Sequence, residues 1–518
     1  VKIAFINPPF LPRFSRGQRS PGVIKSGTLY YPYWLTYAAG MAEKHGHEIR
    51  LIDCPAAGQS AEELLAALLA EPADLIVLET STPSWETDGR LADRIGQTLP
   101  ESRICMVGTH VTAQWRQTLQ AFAEVDYVAI GEYDLTVTEL ADALQGDKPA
   151  LAGIAGLAYR GSAGAQRTAE RPLLRDLDQL PWAAPIYQRF LDFDRYYFNL
   201  SHHPMIMLIG GRGCTSMCFY CVYPQVMHGH RYRHRSADDL VSELLWVQEN
   251  LPQIKEITFE DDNFAADPVF ARAFAARAIE RGVKLPFFAN LRTTVDFDTL
   301  KALRHAGLRS CAVGFESGDP LLLQNMRKGQ NLELQKRFCR YAAELGVLVH
   351  GCFMVGFPGE TNESMERTLQ LAMYLKPDSA QFYPVMPYPG TGAFRYYQEN
   401  GYLTTENFRD WLTVEGGHQC VIQLPGLPAS AIEAFCERAF RRFHFRPRYL
   451  FAKLGQALRQ PAEGYRSLRA GMHFLRYTLW NHRRHPASTA EKVLPIPPDW
   501  RQRIRVPKGR MEEVKKGT

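Results

Sequence analysis

The sequence has no uninterrupted apolar run approaching the roughly 20 residues that span a bilayer, so nothing in its 518 residues reads as a transmembrane helix. Cysteine is scarce as well. Ten in the whole chain are too few for a disulfide scaffold and fit a reducing cytoplasm. Seven of them (Cys54, Cys105, Cys311, Cys339, Cys352, Cys420 and Cys436) are scattered among apolar residues and read as small core fillers. No secretory leader is read at the start, where Val-Lys-Ile-Ala-Phe-Ile has the pattern of a buried strand. The net charge is only +5, and it is unevenly placed: from Arg476 onward eleven Lys/Arg face four Asp/Glu. That tail reads as a solvated basic segment, with a membrane surface or an anionic substrate as the sharper alternative. The length exceeds what one ordinary core fills, which points to two to four domains.

The other three cysteines stand together. Cys214, Cys218 and Cys221 form a Cys-x3-Cys-x2-Cys run just after the apolar stretch Met205–Ile209. Three thiolates this close suit three irons of a [4Fe–4S] cluster and leave the fourth iron without a protein ligand. A structural zinc site closes its fourth position with another Cys or His. His228, His230 and His234 follow closely enough to keep zinc open by counting alone.

Through residue 150, strand-like and helix-like stretches alternate. Strands are expected at Lys2–Ile6, Glu48–Ile52, Leu75–Glu79, Ile104–Val107 and Tyr127–Ile130, with helices at Trp34–His45, Ala61–Ala70, Thr87–Thr98 and Thr112–Phe122. Near-continuous apolar strands separated by helices argue for a parallel sheet covered on both faces, and ligands on such sheets bind at the strand carboxyl ends. The loops expected there carry Asn7-Pro8-Pro9, Thr80-Ser81-Thr82, Gly108-Thr109-His110 and Gly131-Glu132-Tyr133-Asp134. Small, polar and rich in Gly and Pro, they admit the close approach of a large cofactor. The long loop Arg13–Tyr33, with Arg13, Arg16 and Arg19, reads as a functional lid or a mobile excursion.

After a bridge over 151–200, the rhythm resumes. Six strands are expected at Met205–Ile209, Glu256–Glu260, Phe287–Asn290, Ser310–Phe315, Leu348–Val355 and Ser379–Val385. Six such units with intervening helices make an incomplete α/β barrel with its chemistry at the strand C-termini. Five polar runs follow five of these strands in order. They contain Asp261-Asp262, Asn290-Leu291-Arg292, Glu316-Ser317, Gly356 with Glu360, and Pro387. Each alone is weak; Asp261-Asp262 also reads as a solvated turn, and Glu360 as a carboxylate at a helix N-terminus. Beyond Trp411 the pattern turns helical: Ala429–Phe443, Arg448–Arg459 and Tyr465–Leu479. Arg441, Arg442, Arg446 and Arg448 interleave with Phe443, Phe445 and Tyr449. Such interleaving serves nucleic acid elsewhere, but no module for it is visible, and helix packing with a basic outer face is the better account.

The Cys triad, with Tyr220 beside its last cysteine, resembles the signature of radical S-adenosylmethionine enzymes, and the N-terminal loops resemble the cobalamin-binding domain that precedes the core in one large class of them. The chain departs from that class at Gly108-Thr109-His110, which lacks the second Gly of Gly-Gly-Pro-His, and at Tyr133-Asp134. It has no Asp-x-His-x-x-Gly run, so the resemblance implies cobalamin held base-off with no His below the cobalt. It further implies an α/β chain in four parts: a Rossmann-like cobalamin domain (1–150), a linker (151–200), a partial (β/α)6 barrel (201–400) and a helical C-terminal domain with a basic tail (401–518).

Cys214, Cys218 and Cys221 would be the cluster ligands and catalytic residues. Tyr220, Asp261, Asp262, Asn290, Arg292, Glu316, Ser317, Gly356 and Pro387 would hold S-adenosylmethionine. Asn7, Pro8, Thr80, Ser81, Thr82, Gly108, Thr109, His110, Gly131 and Glu132 would hold cobalamin. The activity implied is methylation of an unactivated carbon through a 5′-deoxyadenosyl radical and methylcobalamin; the alternative is oxidative cyclisation or ring rearrangement without methyl transfer. A monomer is expected, with a flavodoxin- or ferredoxin-type reductant, a small or lipid-like substrate, peripheral membrane contact through the basic C-terminal region, and no nucleic acid. A cobalamin sensor or structural cluster protein is the reading from a different class.

Overall fold

The computed structural model describes residues 1–146, 149–162, 164–481, 493–497, 500 and 504. Its first sheet has seven strands: β1 (Lys2–Asn7), β2 (Glu48–Asp53), β3 (Leu75–Glu79), β4 (Arg103–Val107), β5 (Tyr127–Ala129), β6 (Leu157–Gly161) and β7 (Gly164–Arg167). Their order is β2-β1-β3-β4-β5-β6-β7. The first five are parallel and the last two antiparallel. All five residues of β3 are buried, as strands covered on both faces require. The chain leaves β1 toward β2 and then returns to its other side for β3. The crevice at the carboxyl ends of β1 and β3 is therefore the topological switch point where such sheets bind ligands.

Two local expectations give way. Residues 151–200 were expected only to bridge, yet they supply β6, β7 and helix α2 (Ala183–Phe190), which packs on helix α1 (Tyr33–Lys44). β7 is an edge strand with no buried residue, so it carries no apolar run to mark it. The helix expected over Thr112–Phe122 is two short helices meeting at Gln114, and the first begins at Thr109.

The second sheet has six parallel strands in sequential order: β8 (Met205–Leu208), β9 (Glu256–Phe259), β10 (Phe287–Leu291), β11 (Leu308–Glu316), β12 (Leu348–Val355) and β13 (Ser379–Pro384). With β8 and β13 as unjoined edges, this is the incomplete barrel. Helix α1 lies between the two sheets. Its first ten residues are all buried, and Tyr37 Oη accepts the Ile209 N–H at 3.1 Å.

Helices α3 (Ala429–His444), α4 (Pro447–Arg459) and α5 (Pro461–Asn481) follow. Glu463 of α5 reaches under the barrel to Arg309 at 2.5 Å and to His202 at 2.9 Å. Burial alone would raise its carboxyl pKa; His202, Arg309 and Arg466 together hold it well below the usual range. Most of the basic tail expected from Arg476 onward lies outside the described residues.

Candidate active site

The cysteine loop leaves β8 through Gly213, whose φ of +88° and distance of 2.3 Å from a built Cβ to the Arg231 carbonyl oxygen leave no room for a side chain. Cys214 and Cys218 are buried, Cys221 is half-buried, and none forms a disulfide. Burial pushes the Cys218 thiol up to about 11 and Cys221 well above its ordinary value. Such thiols become thiolates only beside compensating positive charge, which iron supplies. Among the described residues no three His, Cys, Asp or Glu converge on a point where one ion would sit; a four-iron cluster asks less, since each thiolate meets its own iron. His228, His230 and His234 are otherwise occupied: with Glu132, with the Ser216 carbonyl and stacked on Phe270.

One amide organises this loop. Gln225 Nε2 donates to the carbonyls of Cys218, Phe219 and Cys221 at 3.1, 3.0 and 2.9 Å, while its Oε1 accepts the Gly392 N–H at 3.0 Å. Sequence reading missed it, because a lone Gln carries no motif.

Around the barrel mouth the strand-end residues split into groups. Glu316, at the end of β11, has a φ of +64°, a strained value for a residue with a side chain. It accepts the Tyr220 hydroxyl at 3.2 Å and pairs with Lys328, while its Oε2 is buried without a partner. Arg292 donates to the Lys328 carbonyl. Asn290 donates to the Asp261 carbonyl at 3.2 Å, and the Asp261 carboxylate accepts the Gly210 N–H at 2.8 Å. Burial pushes Asp261 up to about 7.

Asp262 and Glu260 are taken by Arg19 of the long N-terminal loop, at 3.3 and 3.2 Å. Burial would lower the Arg19 pKa; the two carboxylates outweigh it and raise it. Ser317 is not brought to this group: its hydroxyl faces Thr368 and caps the Asp319 N–H. The Gly356 N–H is tied to Glu360, and Pro387 is buried in the segment after β13. Cys352, read as a core filler, is instead half-buried in contact with Tyr383 and near Glu316.

At the other cofactor end, a narrow cleft lies over the switch point. Glu79, Thr80, Gly108 and Tyr133 of the first sheet line it together with Tyr223 and Met227, which follow the cysteine run. Gly108 has a φ of +120°, and a Cβ there would lie 2.3 Å from the Thr80 carbonyl oxygen. Glu79 Oε2 and Tyr133 Oη are buried without partners. Burial pushes Glu79 up to about 8, against the partial relief given by Arg16. A neutral carboxylic acid and a phenol, both donors without acceptors, fit the amide carbonyls that rim a corrin.

Of the other loop residues expected at cobalamin, Thr109 lines this cleft beside Arg16, whereas Asn7, Pro8, Ser81, Thr82, His110 and Gly131 do not. Arg16 donates to Asn7 Oδ1 at 2.7 Å and to the Pro8 carbonyl at 2.5 Å, and pairs with Asp88. Ser81 bonds Ser84, and Thr109 lines the cleft. His110 sits 3.2 Å from Thr82 Oγ1 against Trp85 and Phe408; burial lowers its pKa to about 3, and its Nε2 has no partner. The Gly131 N–H donates to Thr112.

Glu132 points elsewhere. Its carboxylate meets Arg233 at 2.5 Å and His228 at 3.0 Å, and the neighbouring Asp134 meets Arg212 at 2.6 Å. Burial alone would raise the Glu132 pKa, but the bonds from His228 and Arg233 and the Arg212 charge hold it well below the usual range. These pairs clamp the first domain to the segments flanking the cysteines. No local pattern announced them.

Comparison with known proteins agrees with this division. The B12 binding domain model matches residues 19–141, and the Radical SAM superfamily model matches residues 208–372. The chain is similar to the uncharacterized methyltransferase PH0819 of Pyrococcus horikoshii, with 29% identity over 426 residues, 82% of this chain and 90% of that protein. It is also similar to the anaerobic magnesium-protoporphyrin IX monomethyl ester cyclase of Cereibacter sphaeroides, with 25% identity over 408 residues, 76% of this chain and 63% of that protein. Among solved structures, the radical S-adenosylmethionine methyltransferase TsrM from Kitasatospora setae shares the fold, with a TM-score of 0.63 and 20% identity over 78% of this chain and 77% of that one. The chain thus carries a B12-binding domain over residues 19–141 ahead of a radical SAM domain over residues 208–372, the pairing of a cobalamin-binding radical SAM enzyme.

Proposed function

We propose that the protein is a cobalamin-dependent radical SAM methyltransferase acting on an unactivated carbon of a small molecule. The observation that carries this reading is one shared wall. Tyr223 and Met227, two and six residues past Cys221, line the same cleft as Glu79, Thr80 and Gly108 of the B12-binding domain. A group carried on a cofactor in that cleft lies beside the cluster loop.

When bound, the cluster, S-adenosylmethionine and cobalamin supply radical initiation and a transferable methyl group. The chain's own residues bind, orient and exclude water. Cys214, Cys218 and Cys221 would hold the cluster. Tyr220, Asn290, Arg292 and Glu316 lie where a nucleoside and an amino acid end would bind, with Glu316 Oε2 as the free acceptor. Arg19, fixed by Glu260 and Asp262, covers the barrel mouth from the side of the first domain. In this reading the chain works in the cytoplasm as a monomer and takes single electrons from a flavodoxin- or ferredoxin-type donor.

The test is anaerobic turnover of the reconstituted enzyme with methyl-labelled S-adenosylmethionine and candidate substrates. Label recovered in the product supports methyl transfer. An oxidised, unlabelled product would favour the cyclase-like alternative, which relatives such as the Cereibacter sphaeroides enzyme keep in view.

A further inference from the structure

The C-terminal helix pair α4–α5 turns its polar side chains inward and its apolar ones outward. On the inner side, Glu463 meets Arg309 and His202, Arg466 donates to the Asn199 carbonyl at 2.7 Å, and the Tyr449 hydroxyl donates to the Asp378 carbonyl at 2.9 Å. Helix α4 has no buried residue at all. On the outer side, Leu450, Leu454 and Leu458 recur every fourth residue, one face of a helix, with Phe451 beside them. Leu454 is 58% exposed, Phe451 73% and Leu458 77%. Leu468, Met472 and Leu475 form a second exposed row on α5, which packs against α4 where Gly464 meets Ala457. Of the 17 large hydrophobic side chains exposed among the described residues, nine fall between Phe445 and Leu475. A concentration of this kind marks an interaction site, whereas scattered exposed leucines do not.

The charge along this end of the sequence is one-sided. Residues 438–518 contain 20 Lys/Arg and five Asp/Glu, whereas residues 1–437 contain 40 and 50. The end of the chain is thus +15 on a body of −10. Glu463 is the single acidic residue from 445 to 481, and it is the one buried under the barrel. Arg448 and Arg459 at the two ends of α4 are exposed.

We propose that the α4–α5 pair docks the protein on an anionic lipid surface. Its leucine rows enter the acyl boundary, and the exposed Arg448 and Arg459 meet the headgroups. Phe445, Phe451 and Tyr465 are exposed in the same stretch, but the Leu and Met rows that make up most of the face have no counterpart in a base, which favours lipid over nucleic acid. A second copy of the chain would bring two like-charged surfaces together. A lipid surface with negative headgroups satisfies both the apolar rows and the charge. The proposal does not rest on the methyltransferase reading.

The experiment is co-sedimentation of the full-length, cofactor-reconstituted protein with vesicles of phosphatidylcholine, with and without phosphatidylglycerol, at low and high salt. The expected result is binding to the phosphatidylglycerol vesicles that is roughly tenfold tighter than to neutral ones and weakens with salt. The double variant Leu454→Glu/Leu458→Glu should lose roughly tenfold in that binding, with its unfolding midpoint and iron content unchanged. Absence of binding to the anionic vesicles at low salt overturns the proposal, as does equal binding by the variant. A concentration-dependent dimer that the variant abolishes would assign the face to a second copy instead, and variant-sensitive retention of RNA would assign it to nucleic acid. Turnover of a water-soluble substrate is read separately, so failure here and failure of the proposed reaction remain distinguishable.

Discussion

Arg212 and Asp134 join the two cofactor domains through a bidentate pair, Nη1 to Oδ2 at 2.6 Å and Nη2 to Oδ1 at 2.9 Å, two residues before the first cluster cysteine. Both side chains are buried. Removing Asp134 leaves the buried Arg212 with only the more distant Glu132, 3.8 Å away, at a cost approaching about 3–5 kcal/mol. Asp134→Ala should therefore lower the unfolding free energy by about that amount, measured by chemical denaturation. The double change Asp134→Leu/Arg212→Met should recover most of it, because no lone charge remains. A double variant as unstable as the single one would contradict this account.

Gly108→Ala places a methyl group against the Thr80 carbonyl at a backbone angle that side chains avoid. We expect cobalamin binding to weaken roughly tenfold or more, since the loop must move out of the cleft. Iron content should be unaffected. Spectrophotometric titration of the reconstituted protein with cobalamin reads the first quantity, and iron analysis the second. Unchanged affinity would remove Gly108 from the cofactor site.

Glu316 supplies a buried, unpartnered oxygen at the barrel mouth. Glu316→Ala is predicted to slow S-adenosylmethionine cleavage, followed as 5′-deoxyadenosine released, by roughly tenfold or more, the loss expected when a charge-assisted hydrogen bond goes. Glu316→Gln should lose less if the bond matters more than the charge. Normal cleavage by the alanine variant would refute the assignment.

Glu79 gives a pH signature. Its carboxyl is held up to about 8 in the folded chain, against an ordinary value of 4.5. Between these values the native state binds the extra proton. Its contribution to stability is thus complete below about pH 4.5 and is lost as pH rises through the folded pKa. Glu79→Gln, neutral throughout, should flatten this decline. The stability of the wild type relative to the variant should fall across the window by at most about 1.4 kcal/mol per pH unit. Parallel melting curves from about pH 5 to about pH 8.5 would argue against a neutral Glu79.

Both sheets could be read in advance wherever apolar residues dominate a strand. Leu75–Glu79 and Leu348–Val355 have the expected limits to the residue. What escaped was either polar or distant. Strand β7 is an exposed edge, so its composition matches that of a loop. The clamp of Glu132 and Asp134 on Arg233, His228 and Arg212 joins residues 78 to 101 positions apart. Arg19 reaches Glu260 across 241 positions. Ion pairs of that span leave no periodicity and no spacing to recognise. The same loops that suggested cofactor binding therefore hid a second role, fastening one domain to the other.

Gln225 changes what assembly of the metal centre requires. A flexible cysteine loop would have to lose backbone freedom as iron and sulfide arrive, and that entropy would be subtracted from the binding free energy. Here a single amide already fixes three carbonyls of the loop and ties them to the start of the helix after β13. Iron binding therefore does not have to bear the cost of ordering those three carbonyls.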